Sequence, residues 1–189
     1  MPSDDGRLHL LFISVHGLIR GKDPELGRDA DTGGQTRYVV ELARALGAHP
    51  QIARVDLLTR RVLDSSVSAD YARHEEMLSD TARIIRLDCG EDAYLPKEHL
   101  WDCLDVFADN ALHWLRENEL TPDIVHSHYA DAGYVGIRLS SQLGVPLVHT
   151  GHSLGRVKRR RLLARGLKRD VIEERYNMSR RVEAEEDIL

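Results

Sequence analysis

Short apolar runs alternate along the chain with segments whose apolar residues recur at helical spacing. The run Leu8–Val15 is mostly apolar, which predicts a buried strand, and Thr36–Leu46 has the 3.6-residue periodicity of an amphipathic helix that stops at Gly47. The same patterns predict further elements: strands over Arg54–Thr59, Arg83–Leu87, Asp123–His126 and Val145–His149, and helices over Leu100–Leu115 and Gly133–Leu143. The polar segment from Arg156 to Leu189 is predicted to be helical.

Strands that alternate with helices predict one α/β domain, with a Rossmann-like parallel sheet and helices on both faces. In such sheets ligands bind beyond the carboxyl ends of the strands. Three polar segments fall at these ends: His16-Gly17, Ser127–Tyr129 and Thr150–Ser153. The sequence therefore predicts a site at this edge, with Gly33, Tyr129 and His152 close together.

Composition and charge narrow the class of protein. With 189 residues, 42% of them hydrophobic, the chain is long enough for one domain with a full core. A net charge of -5 gives no reason to expect nucleic acid or a membrane surface as a partner. The N-terminal apolar stretch is too short for a signal peptide or a membrane span. Cys89 and Cys103 match no metal or redox spacing, and a reduced, cytoplasmic setting fits them best.

A glycine pair stands at the start of the first predicted helix, within Asp31-Thr32-Gly33-Gly34-Gln35. Thr32 and Gln35 have capping-box spacing, so Thr32 is predicted to be the N-cap. Gly33 and Gly34 then lie in the first turn, where an anion can approach unpaired backbone N–H groups closely. The motif fits a capped helix start without a ligand equally well, and it is neither the dinucleotide fingerprint nor a Walker loop.

Histidines cluster near two of the predicted strand ends. His126 and His128 would share one face of a strand, but no third residue has metal-ligand spacing, so the sequence favours a polar cleft wall over a metal site. His152 follows the last strand in a Gly-rich loop. Taken alone, a structural role for His152 is favoured over a functional one.

The segment Arg156–Arg169 contains eight Lys or Arg residues. Nucleic-acid binding is one interpretation, but no aromatic residues interleave these charges and the rest of the chain is acidic. We expect most of them to lie on a solvated helix face and one or two to reach a phosphate ester.

Seven stretches, in order along the chain, resemble the N-terminal domain of sucrose-phosphate synthases, which are retaining glycosyltransferases of the two-domain GT-B type. They are HGLIRG (His16–Gly21), ELGRDADTGGQTRYVVELARAL (Glu25–Leu46), RVDLLTR (Arg54–Arg60), YLPKEHLW (Tyr94–Trp101), HSHYADAG (His126–Gly133), TGHSLGRVK (Thr150–Lys158) and YNMSRRVEAEE (Tyr176–Glu186). The related sucrose synthases share DTGGQ but fit less well at SHYADAG and GHSLG.

The resemblance implies a reaction and a domain organisation. Glucose passes from UDP-glucose to fructose 6-phosphate with retention at the anomeric carbon, giving sucrose 6-phosphate without a cofactor or a metal. In the family the N-terminal domain binds the sugar phosphate and a C-terminal domain binds the nucleotide. Residues 1–189 would be the acceptor-binding domain, the N-terminal half of a GT-B fold, and the nucleotide-binding domain is absent from the sequence. We therefore expect this chain alone to be an incomplete enzyme.

The resemblance also assigns site residues. The catalytic set is Gly33, Gly34, Gln35 and His152. The acceptor set is Lys97, Tyr129, Ser153, Lys158, Arg180 and Arg181, with the cations on the phosphate. Which of the two neighbouring arginines faces the acceptor is left open.

Alternative functions remain open at this point. One is a non-catalytic module that binds a sugar phosphate, and another is a relative of sucrose synthase or of mannosylfructose-phosphate synthase. A nucleic-acid-binding domain ranks last, since it depends on the basic segment alone.

Overall fold

The computed structural model describes residues 6–188, and at its centre is a six-stranded sheet. The strands are β1 (Leu8–Ile13), β2 (Ile52–Arg60), β3 (Glu75–Met77), β4 (Ala82–Leu87), β5 (Ile124–His128) and β6 (Leu147–Thr150). Their order is β3-β4-β2-β1-β5-β6, and every pairing is parallel except that of β3 with β4. The Rossmann-like fold is confirmed, but the sheet is mixed, because the prediction missed the antiparallel edge strand β3.

Six α-helices cover the sheet or follow it. They are α1 (Gly34–Gly47), α2 (Leu104–Glu117), α3 (Ala130–Leu143), α4 (Gly155–Ala164), α5 (Arg169–Tyr176) and α6 (Met178–Asp187). Alternate residues of β1 point to opposite faces: Phe12 packs with Val39 of α1, and Ile13 packs on the side of α2 and α3. Helices therefore lie on both faces, as predicted. None of the helices in the described residues is long and apolar enough to cross a membrane.

The start of α1 differs from the prediction. The N-cap is Gly33 and not Thr32. The buried Thr32 hydroxyl instead accepts a hydrogen bond from the backbone N–H of Leu18 at 3.2 Å and donates to Asp29 at 3.4 Å. At the other end, α1 continues through Gly47 and is capped by Ala48. Thr32 thus holds the loop after β1 against the helix start, which fixes the approach to the first turn.

Two predicted helical segments are divided. A short 3-10 helix, Lys97–Asp102, precedes α2, and the bend at Cys103 (φ -112°, ψ 0°) separates them. The C-terminal segment forms three helices with left-handed residues at Gly166 and Asn177. After the second turn, α6 packs along α3, which brings the C-terminal arginines back to the sheet edge.

Candidate active site

A cleft of about 460 Å³ lies at the carboxyl ends of the parallel strands and is open to the first turn of α1. Its walls are formed by His16, Ala30, Asp31, Gly33, Gly34, Gln35, Lys97, Tyr129, His152, Ser153, Lys158 and Arg181. The structure therefore brings together all the site residues assigned from the sequence except Arg180. The predicted proximity of Gly33, Tyr129 and His152 is confirmed.

The two neighbouring arginines of α6 point in different directions. Arg180 reaches outward, where Nη1 donates to Asp102 at 2.7 Å and Nη2 to the backbone oxygen of Trp101 at 3.2 Å. Arg181 is only 3% exposed and lies in the cleft wall. Of the two, Arg181 faces the cleft.

Arg181 is held in place from three sides. Its Nε donates to Glu185 at 2.9 Å, and its Nη2 donates to the backbone oxygen and the hydroxyl of Ser153 at 2.8 and 2.9 Å. The guanidinium carbon lies 4.4 Å from the centre of the Tyr129 ring. These hydrogen bonds leave the Nη1 hydrogens available for a ligand.

Two lysines complete a cationic wall. The Lys97 ammonium group forms ion pairs with Asp31 and, at 3.4 Å, with Glu98, while its backbone N–H donates to Asp31 at 2.8 Å. The Lys158 Nζ lies 4.1 Å from the centre of the Tyr176 ring. Burial lowers the pKa of Lys158, and the nearby charges of Lys97 and Arg181 act in the same direction. An anion in the cleft would offset these effects, because a nearby opposite charge favours the protonated ammonium group.

The glycine pair leaves space in front of α1. A Cβ atom built on Gly33 or Gly34 would meet no atom of residues 6–188 within 4 Å, and neither glycine has a left-handed φ. Neither packing nor backbone conformation within this part of the chain therefore requires glycine. The first N–H groups of a helix have no intrahelical acceptor and carry its positive dipole end, so a ligand anion can approach them here.

The sequence assignments missed a buried acid–base pair behind Tyr129. His16 Nδ1 lies 2.7 Å from Asp131 Oδ2, and the two side chains are 4% and 1% exposed. The His16 ring packs edge-on against Tyr129, with ring centres 4.6 Å apart. Tyr129 has an unusual φ of +79°, which the backbone hydrogen bond from its N–H to Thr150 helps to hold. The sequence signals for this pair were the position of His16 after the first strand and the presence of both residues in the stretches HGLIRG and HSHYADAG.

The histidines form a cluster beside the cleft. The rings of His126 and His128 lie on one face of β5, as predicted, with centres 4.2 Å apart. His128 Nδ1 contacts His152 Nε2 at 3.2 Å, so the cluster extends into the cleft wall. Burial, reinforced by neighbouring histidines, lowers the pKa of His126 to about 4 and that of His128 to about 2. Within residues 6–188 no group of three His, Cys, Asp or Glu side chains is arranged to hold a metal ion.

Comparison with known proteins identifies the family. The sequence profile of Glycosyltransferase Family 4 matches residues 32–184, which include most of the cleft residues. The chain belongs to glycosyltransferase family 4. The cationic cleft can therefore be compared with known members of this family.

Nearly the whole of this chain is similar in sequence to plant sucrose-phosphate synthases. A probable sucrose-phosphate synthase 4 of Oryza sativa subsp. japonica is 45% identical over 96% of the chain, and the sucrose-phosphate synthase of Zea mays is 45% identical over 97%. The chain spans 20% of the length of each. The solved sucrose-phosphate synthase of Thermosynechococcus elongatus aligns with a TM-score of 0.72 and 28% identity, over 97% of this chain and 40% of that one. The predicted resemblance is confirmed.

The histidine cluster is expected to make the stability of this chain depend on pH. An unfolded histidine titrates near 6.5, so between pH 6.5 and about 4 the unfolded chain binds protons that the folded rings of His126 and His128 exclude. Stability should therefore fall as the pH falls, by about 2–3 kcal/mol between about pH 7.5 and 5, after allowance for partial solvent screening. Urea unfolding at the two pH values measures the loss.

A matched pair of histidine variants tests whether the buried cluster causes that pH dependence. His126→Gln should reduce it, since one of the rings with a lowered pKa is removed while those of His128, His149 and His152 remain. His113→Gln should leave it unchanged, because that side chain is 69% exposed. Equal free energies of unfolding at both pH values for the parent chain would contradict the prediction.

Proposed function

We propose that the cleft binds fructose 6-phosphate and that this chain is the acceptor half of an enzyme that transfers glucose to it from UDP-glucose, with retention. The observation that carries the proposal is the charge of the cleft. Lys97, Lys158 and Arg181 converge on it from distant parts of the chain, whereas Asp31 is the one carboxylate among its lining residues. Glu98 and Glu185 pair with Lys97 and Arg181 from outside that lining. A phosphate ester carries close to two negative charges at neutral pH, which matches this excess of cations. The similarity to sucrose-phosphate synthases supports the same acceptor.

The proposal gives each part of the cleft a task. The three cations hold the acceptor phosphate through charge-assisted hydrogen bonds, and Ser153 and Tyr129 contact the sugar. The N–H groups at Gly33 and Gly34 meet the negative charge that develops on the donor phosphate as the glycosidic bond breaks. His152 faces the transferred hexose, and a second domain of the kind found in the family holds the nucleotide.

Lys158→Ala tests the acceptor assignment. It is expected to weaken binding of fructose 6-phosphate by about tenfold or more, since a charge-assisted hydrogen bond to phosphate contributes about 1.5–3 kcal/mol. Binding of unphosphorylated fructose should be almost unchanged. Affinity for the phosphate ester should also fall as salt rises. Calorimetric titration with each sugar measures both effects.

Arg180→Ala is the matched control for Lys158→Ala. It also removes one cation from the C-terminal helices, but Arg180 points towards Asp102 and away from the cleft, so binding of fructose 6-phosphate should be retained. If Lys158→Ala bound fructose 6-phosphate as well as the parent does, the cleft would not be the phosphate site. If the parent bound fructose and fructose 6-phosphate equally, a neutral sugar would be the better acceptor.

A further inference from the structure

Two thiols that are 14 residues apart in the sequence lie side by side in the hydrophobic core. The Sγ atoms of Cys89 and Cys103 are 2.8 Å apart, and both cysteines are free and buried, at 1% and 8% exposure. Cys89 follows the end of β4, and Cys103 is the residue before α2. The spacing of these cysteines along the chain gave no redox motif, because only the fold brings them together.

An unpaired buried cation adjoins the two thiols. Arg60, the last residue of β2, is 4% exposed, and its Nη1 is buried without a hydrogen-bond partner in the described residues. None of the salt bridges found in residues 6–188 includes Arg60, whose guanidinium stacks on Tyr94 at 5.7 Å. Burial lowers the pKa of Arg60, whereas negative charge on either cysteine would raise it. A thiolate would therefore help to compensate this cation, together with the carboxylate of Asp64.

Cys103 is the more acidic of the two thiols. It is the N-cap residue of the 14-residue helix α2, so the positive end of the helix dipole stabilises its thiolate. A hydrogen bond from Cys89 lowers the pKa of Cys103 against the opposing effect of burial, and the charge of Arg60 lowers it further, while the same hydrogen bond raises the pKa of Cys89. In its neutral form, Cys103 donates to the backbone oxygen of Leu100 at 3.2 Å. Both cysteines are thus accommodated as thiols, and the Cys103 sulfur is the one expected to react first with a disulfide.

We propose that Cys89 and Cys103 are a reversible dithiol–disulfide site that fixes the chain segment between them against the cleft. The oxidant is a low-molecular-weight disulfide such as glutathione disulfide. The Cys103 thiolate attacks one of its sulfurs and releases one thiolate. Cys89 then loses its proton and attacks the mixed disulfide at the Cys103 sulfur, which releases the second thiolate and leaves one protein disulfide and two small thiols. The two protein sulfurs need to approach by less than about 1 Å to reach a bond of about 2.05 Å.

The ring that this bond closes contains part of the cleft wall. It includes Lys97, which is paired with Asp31, and Tyr94, whose hydroxyl lies 3.5 Å from the Thr32 hydroxyl. Closing the ring restricts the motion of the segment that carries Lys97. The disulfide chemistry is independent of the acceptor, and only the consequence for sugar-phosphate binding rests on the proposed function.

The test uses the whole chain and measures two quantities: the oxidation state of the two cysteines and the hydrogen exchange of the segment between them. After equilibration with glutathione disulfide and acid quenching, the unfolded chain is treated with N-ethylmaleimide and weighed by mass spectrometry. The expected product carries no label and has lost two hydrogens, and dithiothreitol restores both thiols. The oxidised chain should have a Tm higher by about 5–10 °C, because the closed loop restricts the unfolded state. Hydrogen exchange of the amides in residues 90–102 should be slower.

Single-cysteine variants separate the two sulfurs. Cys89→Ser should accumulate a mixed disulfide of glutathione at Cys103, whereas Cys103→Ser should react far more slowly at Cys89. Arg60→Lys keeps a cation near the pair, and Arg60→Met removes it and should slow the first step. Two labelled thiols in the folded parent, under conditions that oxidise the urea-unfolded chain, would overturn the proposal. A disulfide that leaves hydrogen exchange of residues 90–102 unchanged would overturn it as well.

Discussion

Asp56→Ala is expected to lower the free energy of unfolding by about 3–5 kcal/mol, because it removes the one acceptor shared by three basic side chains. The Asp56 side chain is 0% exposed. Its carboxylate lies 2.8 Å from His9 Nε2, 2.6 Å from Arg83 Nε and 2.9 Å from Arg54 Nε. Without it, the partly buried guanidinium of Arg54 loses its carboxylate partner, and that of Arg83 keeps only Glu75.

The control for Asp56→Ala is a carboxylate in a surface ion pair. Glu41 is 60% exposed and pairs with Arg44 at 3.0 Å within α1, so Glu41→Ala should change stability by less than about 1 kcal/mol. Urea unfolding of both variants measures the difference. A loss of less than about 1 kcal/mol in Asp56→Ala would contradict the prediction. Since Asp56 does not line the cleft, the folded variant should still bind fructose 6-phosphate.

The sequence predicted elements that have a local signal. Apolar runs and helical periodicity located five strands and the helices on both faces, because each of these elements buries its own apolar residues. The strand β3 was missed because its sequence EEM has no apolar alternation, and it is held by backbone pairing with β4. The N-cap was wrong because Thr32 is recruited by Leu18 of a different loop, a contact that capping-box spacing does not encode.

The site required information that no single segment contains. Spacing alone left His152 as a structural histidine and Lys158 as one charge among many on a basic helix. The resemblance grouped them, and the fold then placed them in one cleft. Residues 180 and 181 are neighbours on α6, so only the packing of that helix on α3 decides which arginine is buried. His16 and Asp131 are 115 residues apart, and their pairing follows from the parallel β1–β5 register.

Arg181→Lys is expected to weaken binding of fructose 6-phosphate by about 100-fold, which is the largest effect on affinity that we predict. The guanidinium has two tasks that an ammonium group cannot perform together. Its Nε and Nη2 orient Glu185 and Ser153, while Nη1 remains free for the phosphate. Lysine keeps the positive charge but lacks the planar fork, and its stem cannot stack on Tyr129 in the same way. Calorimetric titration measures the affinity, and thermal unfolding verifies that the variant is folded.

Arg180→Lys provides the control for Arg181→Lys, because the same chemical change is made one residue away on the same helix. The Arg180 side chain is 44% exposed and paired with Asp102, so its replacement should leave the affinity for fructose 6-phosphate within about twofold of the parent. The contrast between the two variants separates a loss of geometry in the cleft from a general loss of charge on α6. A folded Arg181→Lys chain with parental affinity would show that the acceptor phosphate is held by the lysines alone, and the task assigned to Arg181 would be wrong.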